Sequence, residues 1–442
     1  MWLSSLFVIL AGLLPGGAQT GAQTPPRSGM AEMVDKYCAA CHGGVRLPSG
    51  AMLEKLDAGL IAESPELWAR AYRQLQAGTM PPVGAPRPDR ATYNQALATI
   101  EQALTTNAKT EATSQEIAEH LAVLLWNSTP DASLLKDARR NRLKEPAVLD
   151  KQIHRMLADD RAQTFVSRFL FPWLGLDKLN NAVPDKKNFP DFDIALRDAF
   201  ARETELFLLS QLRSDRDPVE LWSANYTFLN EQLARHYDIP NVKGSPFRKV
   251  TLPLPERYGL LGQGSILMIT SRHQPGSAPF TSPAGRSTWI RNHYLGAPPP
   301  NPAPNAPPVK PDLPITPQTR ALPAEPCVKC HQNFFPLGYA LENFDPVGRW
   351  RTKDQIGPVD ASGRFVDGSS TNGIVELRAV LLQRPEAFRT TITENLLLFG
   401  SGYPIGARRS ADTLVRAREI LHGVQNPKWS TVIAGVVRQK TP

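Results

Sequence analysis

The chain has 442 residues, 41% of them apolar, and a formal charge of +8 from 50 basic and 42 acidic side chains. That is length for about three domains with buried cores, which excludes a wholly disordered chain. No apolar run after the first few residues approaches the roughly 20 needed to span a bilayer, and no Lys/Arg block has the density of a nucleic-acid arm.

The first segment, Trp2 to Leu14, is mostly apolar and too short to span a membrane. Pro15, Gly16 and Gly17 break it, and Ala18 ends a small-residue site, so residues 1–18 read as an export signal. The usual Lys/Arg ahead of the apolar stretch is missing. The competing reading, a buried N-terminal helix, is opposed by Gly16-Gly17 and the polar run from Gly17 to Gln23.

Residues 24–110 read as a small helical domain. Met30, Met33, Val34, Tyr37, Cys38 and Cys41 recur at helical spacing, and the run ends in Cys38-Ala39-Ala40-Cys41-His42. Two thiols at this spacing can add to the two vinyl groups of one haem, and the adjacent imidazole then reaches the iron; this is the c-type haem attachment signal. With 8 histidines in 442 residues, a histidine follows a given Cys pair by chance about 2% of the time. A second such pair, Cys327-Val328-Lys329-Cys330-His331, uses the remaining two of the chain's 4 cysteines. A four-cysteine zinc site and a thioredoxin-like dithiol compete with this reading, but neither needs the two histidines. Haem attachment also requires an exported chain, so the signal and the motifs agree. Cys38, Cys41, Cys327 and Cys330 are thus the candidate attachment residues for two covalently bound haem c groups, with His42 and His331 on the irons.

Further along, Ser64-Pro65 has the form of an N-cap with a first-turn proline, Leu67, Ala71 and Leu75 continue that helix, and Gly78 stops it. Gly78-Thr79-Met80-Pro81-Pro82 must be an extended loop, and Asp89 caps a third helix with Leu97, Ile100 and Leu104 inward. This layout resembles class I cytochrome c, which implies Met80 as the sixth iron ligand; a thioether there raises the haem potential. The plainer role is a methionine filling a core gap.

Residues 111–245 read as a helical domain. Ile117, Leu121, Leu124 and Leu125 form one apolar face, and Leu149, Ile153, Met156 and Leu157 another; Phe192 to Leu212 and Leu229 to Tyr237 are further helices, with Trp126, Trp173 and Trp222 in the core. Residues 246–296 connect, carrying Tyr258-Gly259-Leu260-Leu261 and Thr281-Ser282-Pro283-Ala284-Gly285-Arg286. Residues 297–326 hold 12 of the 41 prolines and form a semi-rigid linker. Residues 327–442 form the second haem domain, with helices at Val375 to Leu382, Phe388 to Leu398 and Ala411 to Leu421. This last part carries 15 basic and 10 acidic residues against 9 and 8 in the first domain, so an acidic partner docks more favourably on the C-terminal haem.

Most of the chain, from about residue 30 to 435, resembles the large planctomycete-type cytochrome c proteins. The residues that carry the likeness are Leu56-Asp57-Ala58-Gly59 and Ala77-Gly78-Thr79-Met80-Pro81-Pro82 in the first domain. Phe189-Pro190-Asp191-Phe192, Glu203-Thr204-Glu205 and Tyr226-Thr227-Phe228-Leu229-Asn230-Glu231 carry it in the middle. Gly296-Ala297-Pro298-Pro299-Pro300, Pro336-Leu337-Gly338-Tyr339-Ala340-Leu341-Glu342-Asn343-Phe344-Asp345, Asp360-Ala361-Ser362-Gly363 and Asp367-Gly368 carry it near the end. The resemblance implies haem binding and export more firmly than a reaction. The chain departs from the family pattern in three places. No histidine stands between His293 and His331, Phe334-Phe335-Pro336 replaces an Asp-Pro, and Leu398-Phe399-Gly400-Ser401-Gly402 replaces Tyr-Ala-Leu-Gly-Arg.

The first two departures surround the second motif and leave its sixth ligand open among Met268, His273, His293, Met156, His154 and an open or water-bound position. Asp360, Ser362 and Asp367 could bind calcium or cap turns. Arg349, Arg351, Arg408 and Arg409 could pair with haem propionates, with solvated surface as the plainer place for Arg408 and Arg409. No nucleophile elbow, phosphate loop or paired-carboxylate motif is legible.

The expected fold is mainly α: a class I cytochrome c-like N-terminal domain, a helical middle region and a C-terminal helical haem domain after a Pro-rich linker. The expected function is an exported, periplasmic or extracellular di-haem c-type cytochrome acting in electron transfer with a redox partner protein, with no nucleic acid and no stable membrane insertion after signal removal. The alternative is a di-haem oxidoreductase with haem 2 as an open catalytic iron, by analogy with bacterial di-haem peroxidases. A structural or carbohydrate-associated surface component is the weakest reading, since no binding module is legible.

Overall fold

In a computed structural model of the chain, residues 29–42, 58–82, 84–104, 111–184, 186–271, 281–299, 335–354, 357–365 and 367–439 are described. The expected export signal, nearly all of the proline-rich linker, His273, and the second motif with Cys327, Cys330 and His331 lie outside the described residues.

The chain is mainly helical. In its first part, helix α1 (Gly29–Tyr37) buries Met30, Met33 and Val34 and runs after one residue into α2 (Ala39–His42). Helix α3 (Pro65–Gln76) buries Trp68, Ala69, Tyr72, Arg73 and Leu75. Leu67 and Ala71, which continue the helix as expected, are half-buried on its flank. Ser64 precedes Pro65 as expected, but its side chain makes no capping bond. Gly78, at φ +69°, ends α3, a left-handed conformation that costs a side-chain-bearing residue. Helix α4 (Arg90–Ala103) is capped by Asp89, whose carboxylate accepts from the Thr92 N–H at 2.8 Å. The apolar faces of α1, α3 and α4 meet in one small cluster. Ala411, Leu414 and Val415 complete it from the opposite end of the sequence.

The rest of the described chain shares a second, larger core running from Ala77 to Val437. Helix α5 (Ser114–Trp126) starts with a reciprocal capping box between Thr113 and Glu116 and ends on left-handed Asn127. Helices α6 (Ala132–Arg139) and α7 (Pro146–Ala158) follow. Both apolar faces expected from periodicity are buried, as are Trp126, Trp173 and Trp222. Helix α8 (Ile194–Arg213) crosses the centre. Strand β1 (Tyr226–Leu229) then pairs antiparallel with β2 (Arg248–Thr251). Leu229 was expected to open a helix. It instead ends β1, and the Asn230 side chain caps α9 (Glu231–His236) through the Leu233 N–H at 2.9 Å.

Helices α10 (Gly264–Ile269), α11 (Pro283–Ile290) and α12 (Phe335–Tyr339) form the next layer. Strands β3 (Ser362–Arg364) and β4 (Ser370–Asn372) make a short hairpin. The chain then runs through α13 (Ile374–Leu382), α14 (Pro385–Gly400), α15 (Ala411–Leu421) and α16 (Trp429–Arg438). The last of these was not foreseen, although Trp429, Val432, Ile433, Val436 and Val437 all face inward.

Two buried charge clusters tie these parts together. The Glu203 carboxyl, on α8, accepts hydrogen bonds from Tyr237 Oη at 2.6 Å and Thr227 Oγ1 at 2.7 Å. Tyr237 Oη in turn accepts from the Gly264 N–H at 2.6 Å. Glu203 therefore links α8, β1, α9 and α10. Glu394, on α14, has no exposed side-chain surface. It accepts from Arg73 at 2.5 and 3.1 Å, from Arg409 at 3.2 Å and from Thr413 at 3.3 Å. Arg409 was read as a surface residue. Its side chain is only 13% exposed, because it spans from Glu394 to the Gly296 carbonyl at 2.6 Å; Arg408 is exposed.

Two outcomes are expected. Burial pushes the Glu203 carboxyl up from 4.5 to about 7. The folded chain therefore holds this proton more tightly than the unfolded chain, so stability falls as pH rises through that window. Urea midpoints at pH 5 and pH 8 should separate in wild type more than in E203Q; equal separations would contradict the assignment. In E394A, Arg73 and Arg409 are left as uncompensated charges, and loss of one partner of a buried pair typically costs about 3–5 kcal/mol. Denaturant unfolding measures this, and a change within error of zero would contradict it.

Candidate functional site

The first cysteine motif sits where α1 ends. The Cys38 carbonyl accepts from the N–H groups of both Cys41, at 3.1 Å, and His42, at 3.0 Å, while the Cys38 N–H donates to Val34 O at 2.9 Å. This turn presents two thiols and an imidazole from five consecutive residues. Cys38 is half-buried against the small apolar cluster and Cys41 is exposed; neither is in a disulfide. Burial pushes the Cys38 thiol up to about 11, and Cys41 adds to the shift. A thiol so held is mostly protonated at neutral pH, whereas a metal ion needs thiolates.

The Met80 loop is tied to the same cluster through Tyr93, which packs against it. At the end of α3, the Thr79 N–H and Oγ1 both donate to the Gln74 carbonyl at 2.9 Å. Met80 follows, half-buried, before a cis peptide bond to Pro81. Tyr93, on α4, donates from Oη to the Met80 carbonyl at 2.7 Å. Arg87 donates to the Gly78 carbonyl at 2.8 Å and to Tyr93 Oη at 2.9 Å, and also reaches the Pro81 carbonyl. Tyr93 joins the two halves of the site. Burial pushes its phenol up, Arg87 opposes this, and Cys38 adds to it. Cys38 and the Met80 loop are thus neighbours of one side chain. Neither Arg87 nor Tyr93 stood out in the sequence, because a tyrosine and an arginine flanking a cap have no distinctive spacing.

These residues fit a covalently held haem. The donor set is two unpaired thiols, a neighbouring imidazole and, on a loop held by Tyr93 of the same apolar cluster, a thioether. That cluster also contains Trp68, 1% exposed, whose indole N–H has no hydrogen-bond partner among the described residues. A buried donor without a partner costs about 1–3 kcal/mol, and a carboxylate of a bound porphyrin would satisfy it.

For the second motif the structure narrows the candidates. His293 has Nδ1 against the Trp289 carbonyl and Nε2 against the Trp173 carbonyl, both at 2.7 Å. His154 has Nδ1 on the Asp150 carbonyl at 2.9 Å and Nε2 on Asp215 at 3.0 Å. Neither histidine offers a ring nitrogen to an iron. Met156 and Met268 are wholly buried in the large core.

Other groups singled out in the sequence have protein partners. Asp360 accepts from the Ser362 N–H at 2.9 Å, and Asp367 accepts from the Ser369 N–H at 2.8 Å and pairs with Arg384. These carboxylates close turns and an ion pair. Arg349 pairs with Asp191 at 3.3 Å, and Arg351 with Glu342 at 3.2 Å.

Two family models match. Residues 112–239 match PSD4, a protein of unknown function (DUF1592), and residues 257–354 match PSCyt3, a protein of unknown function (DUF1588). Both are domains of planctomycete-type cytochrome c proteins, and no match to a cytochrome c domain itself is found. No curated protein and no solved structure matches the chain. Among the described residues, no helix is long and apolar enough to cross a membrane.

Proposed function

We propose that the protein is an exported di-haem c-type cytochrome that transfers electrons to or from a redox partner protein. The observation that carries this is the Cys38–His42 turn, which presents two free thiols and an imidazole on an apolar cluster whose Tyr93 also holds the Met80 carbonyl. The repeat of the same motif at Cys327-Val328-Lys329-Cys330-His331 supports a second haem.

In this reading Cys38 and Cys41 hold the first haem, with His42 and Met80 as its axial ligands, and Cys327, Cys330 and His331 hold the second. The haem supplies a one-electron couple, made more oxidising by thioether ligation. The chain supplies the surroundings. Met30, Met33, Trp68 and Ile100 keep water away, Tyr93 and Arg87 fix the loop that carries Met80, and Trp68 offers a donor to a propionate.

A second reading, an oxidoreductase with an open iron at haem 2, is favoured by one specific observation. His293 and His154 are both engaged by protein oxygens, which leaves His273 as the remaining histidine among the candidate distal ligands.

The purified protein should be red, with a mass exceeding the mature chain by two porphyrin units; one unit or none overturns the di-haem reading. M80A should lose the near-infrared sulfur-to-iron band of the oxidised protein, and persistence of that band would mean another ligand. Electron paramagnetic resonance separates the two readings of haem 2. Two low-spin signals exclude the open iron, and a high-spin signal that shifts with cyanide excludes the simple carrier.

A further inference from the structure

The Met80 loop has a neighbour from the other end of the chain. Arg384, the residue before α14, is held on the C-terminal side by three contacts. Its guanidinium pairs with Asp367, donates to the Val380 carbonyl at 3.2 Å and lies 4.6 Å over the Phe365 ring. The same guanidinium lies beside Gly78. A Cβ added to Gly78 would stand 3.1 Å from Arg384 Nε and 3.5 Å from Nη2. Gly78 is thus constrained twice, by its φ of +69° and by this contact. The Arg384 charge also reaches Tyr93, which holds the Met80 carbonyl. Nearby, Gln74 receives Thr79 on its carbonyl, donates to the Pro298 carbonyl at 3.4 Å and accepts from Arg291 at 3.4 Å.

We propose that Arg384 is a positioning residue that completes the Met80 site from the C-terminal domain, holding the Gly78–Pro82 loop closed and placing a fixed positive charge beside it. This rests on the reading that Met80 ligates the first haem. The physical logic has two parts. A planar guanidinium locked by Asp367 and Phe365 is a rigid wall for a loop that starts with a residue lacking a side chain. A fixed positive charge near a haem disfavours its more positive, oxidised form. The first domain by itself would keep Cys38, Cys41, His42 and Met80 but lose that wall.

The test uses the full-length haem-loaded protein. Three quantities are measured in wild type, R384Q, R384K and G78A: the temperature at which the near-infrared band disappears, the temperature of global unfolding by far-ultraviolet circular dichroism, and the midpoint potential of the first haem. In R384Q and G78A the band should vanish well below global unfolding, whereas in wild type the two transitions lie closer together. R384Q should also lower the midpoint potential measured while the band is present, and R384K, which keeps the charge but not the planar fork, should restore that potential without restoring the thermal stability of the band. A band in R384Q that survives to global unfolding, with an unchanged potential, overturns the proposal. So does a band that falls only in step with unfolding, since that is a purely structural role. A haem-loaded wild type with no band overturns the Met80 reading and this proposal together, so the two failures are distinguishable.

Discussion

Glu394 has no access to water, and the first domain sits where Arg73 can reach it. A carboxylate buried this deeply persists only if several donors surround it. Arg73 from α3, Arg409 from the loop before α15 and Thr413 from α15 supply them. Around this centre lie the lesser contacts of the same interface. Arg418 pairs with Glu101 at 3.2 Å, and the Ala411 N–H donates to Glu66 at 3.0 Å. Leu414 and Val415 complete the apolar cluster beneath. The small domain that carries the first cysteine motif is therefore docked on the C-terminal helices, and its apolar cluster is finished by residues more than 300 positions away.

That docking changes what the first domain is. In the folded chain, α14 and α15 supply part of its core and its buried counter-charge, and Arg384 supplies a wall of the Met80 loop. The loop is consequently held from both sides, by Tyr93 and Arg87 within the domain and by Arg384 beyond it. The central part shows the same economy with buried polar groups. Glu203 is shared by α8, β1 and α9, and Arg286 is spent on Glu342 and on the Leu341 and Phe344 carbonyls. In each case a charge that could not be left bare in a core fixes how separate elements meet.

Much of the local structure was legible because it rests on short-range rules. The apolar periodicity of Ile117-Leu121-Leu124-Leu125 and of Leu149-Ile153-Met156-Leu157 placed the buried faces correctly, and Asp89 and Gly78 marked the helix ends they form. The errors arose where tertiary packing chose between local alternatives. Leu229 joined a strand because Lys249 and Arg248 offered a partner edge. Arg409 looked like surface because its buried partner, Glu394, lies on α14, 15 residues earlier, and only the fold brings the two together.

The amino-acid order alone determined the chemistry on offer: two thiols and an imidazole within five residues, repeated once, and a methionine in a loop that Gly78 and two prolines keep out of a helix. Covalent spacing is a local property, so no fold is needed to read it. Only the tertiary structure decided which side chains surround those groups: Tyr93 on the Met80 carbonyl, Trp68 with an indole unanswered among the described residues, Arg384 against Gly78, and His154 and His293 taken up by protein oxygens. Those outcomes depend on burial and on partners far away in sequence, and desolvation acts only once the chain has closed over a group.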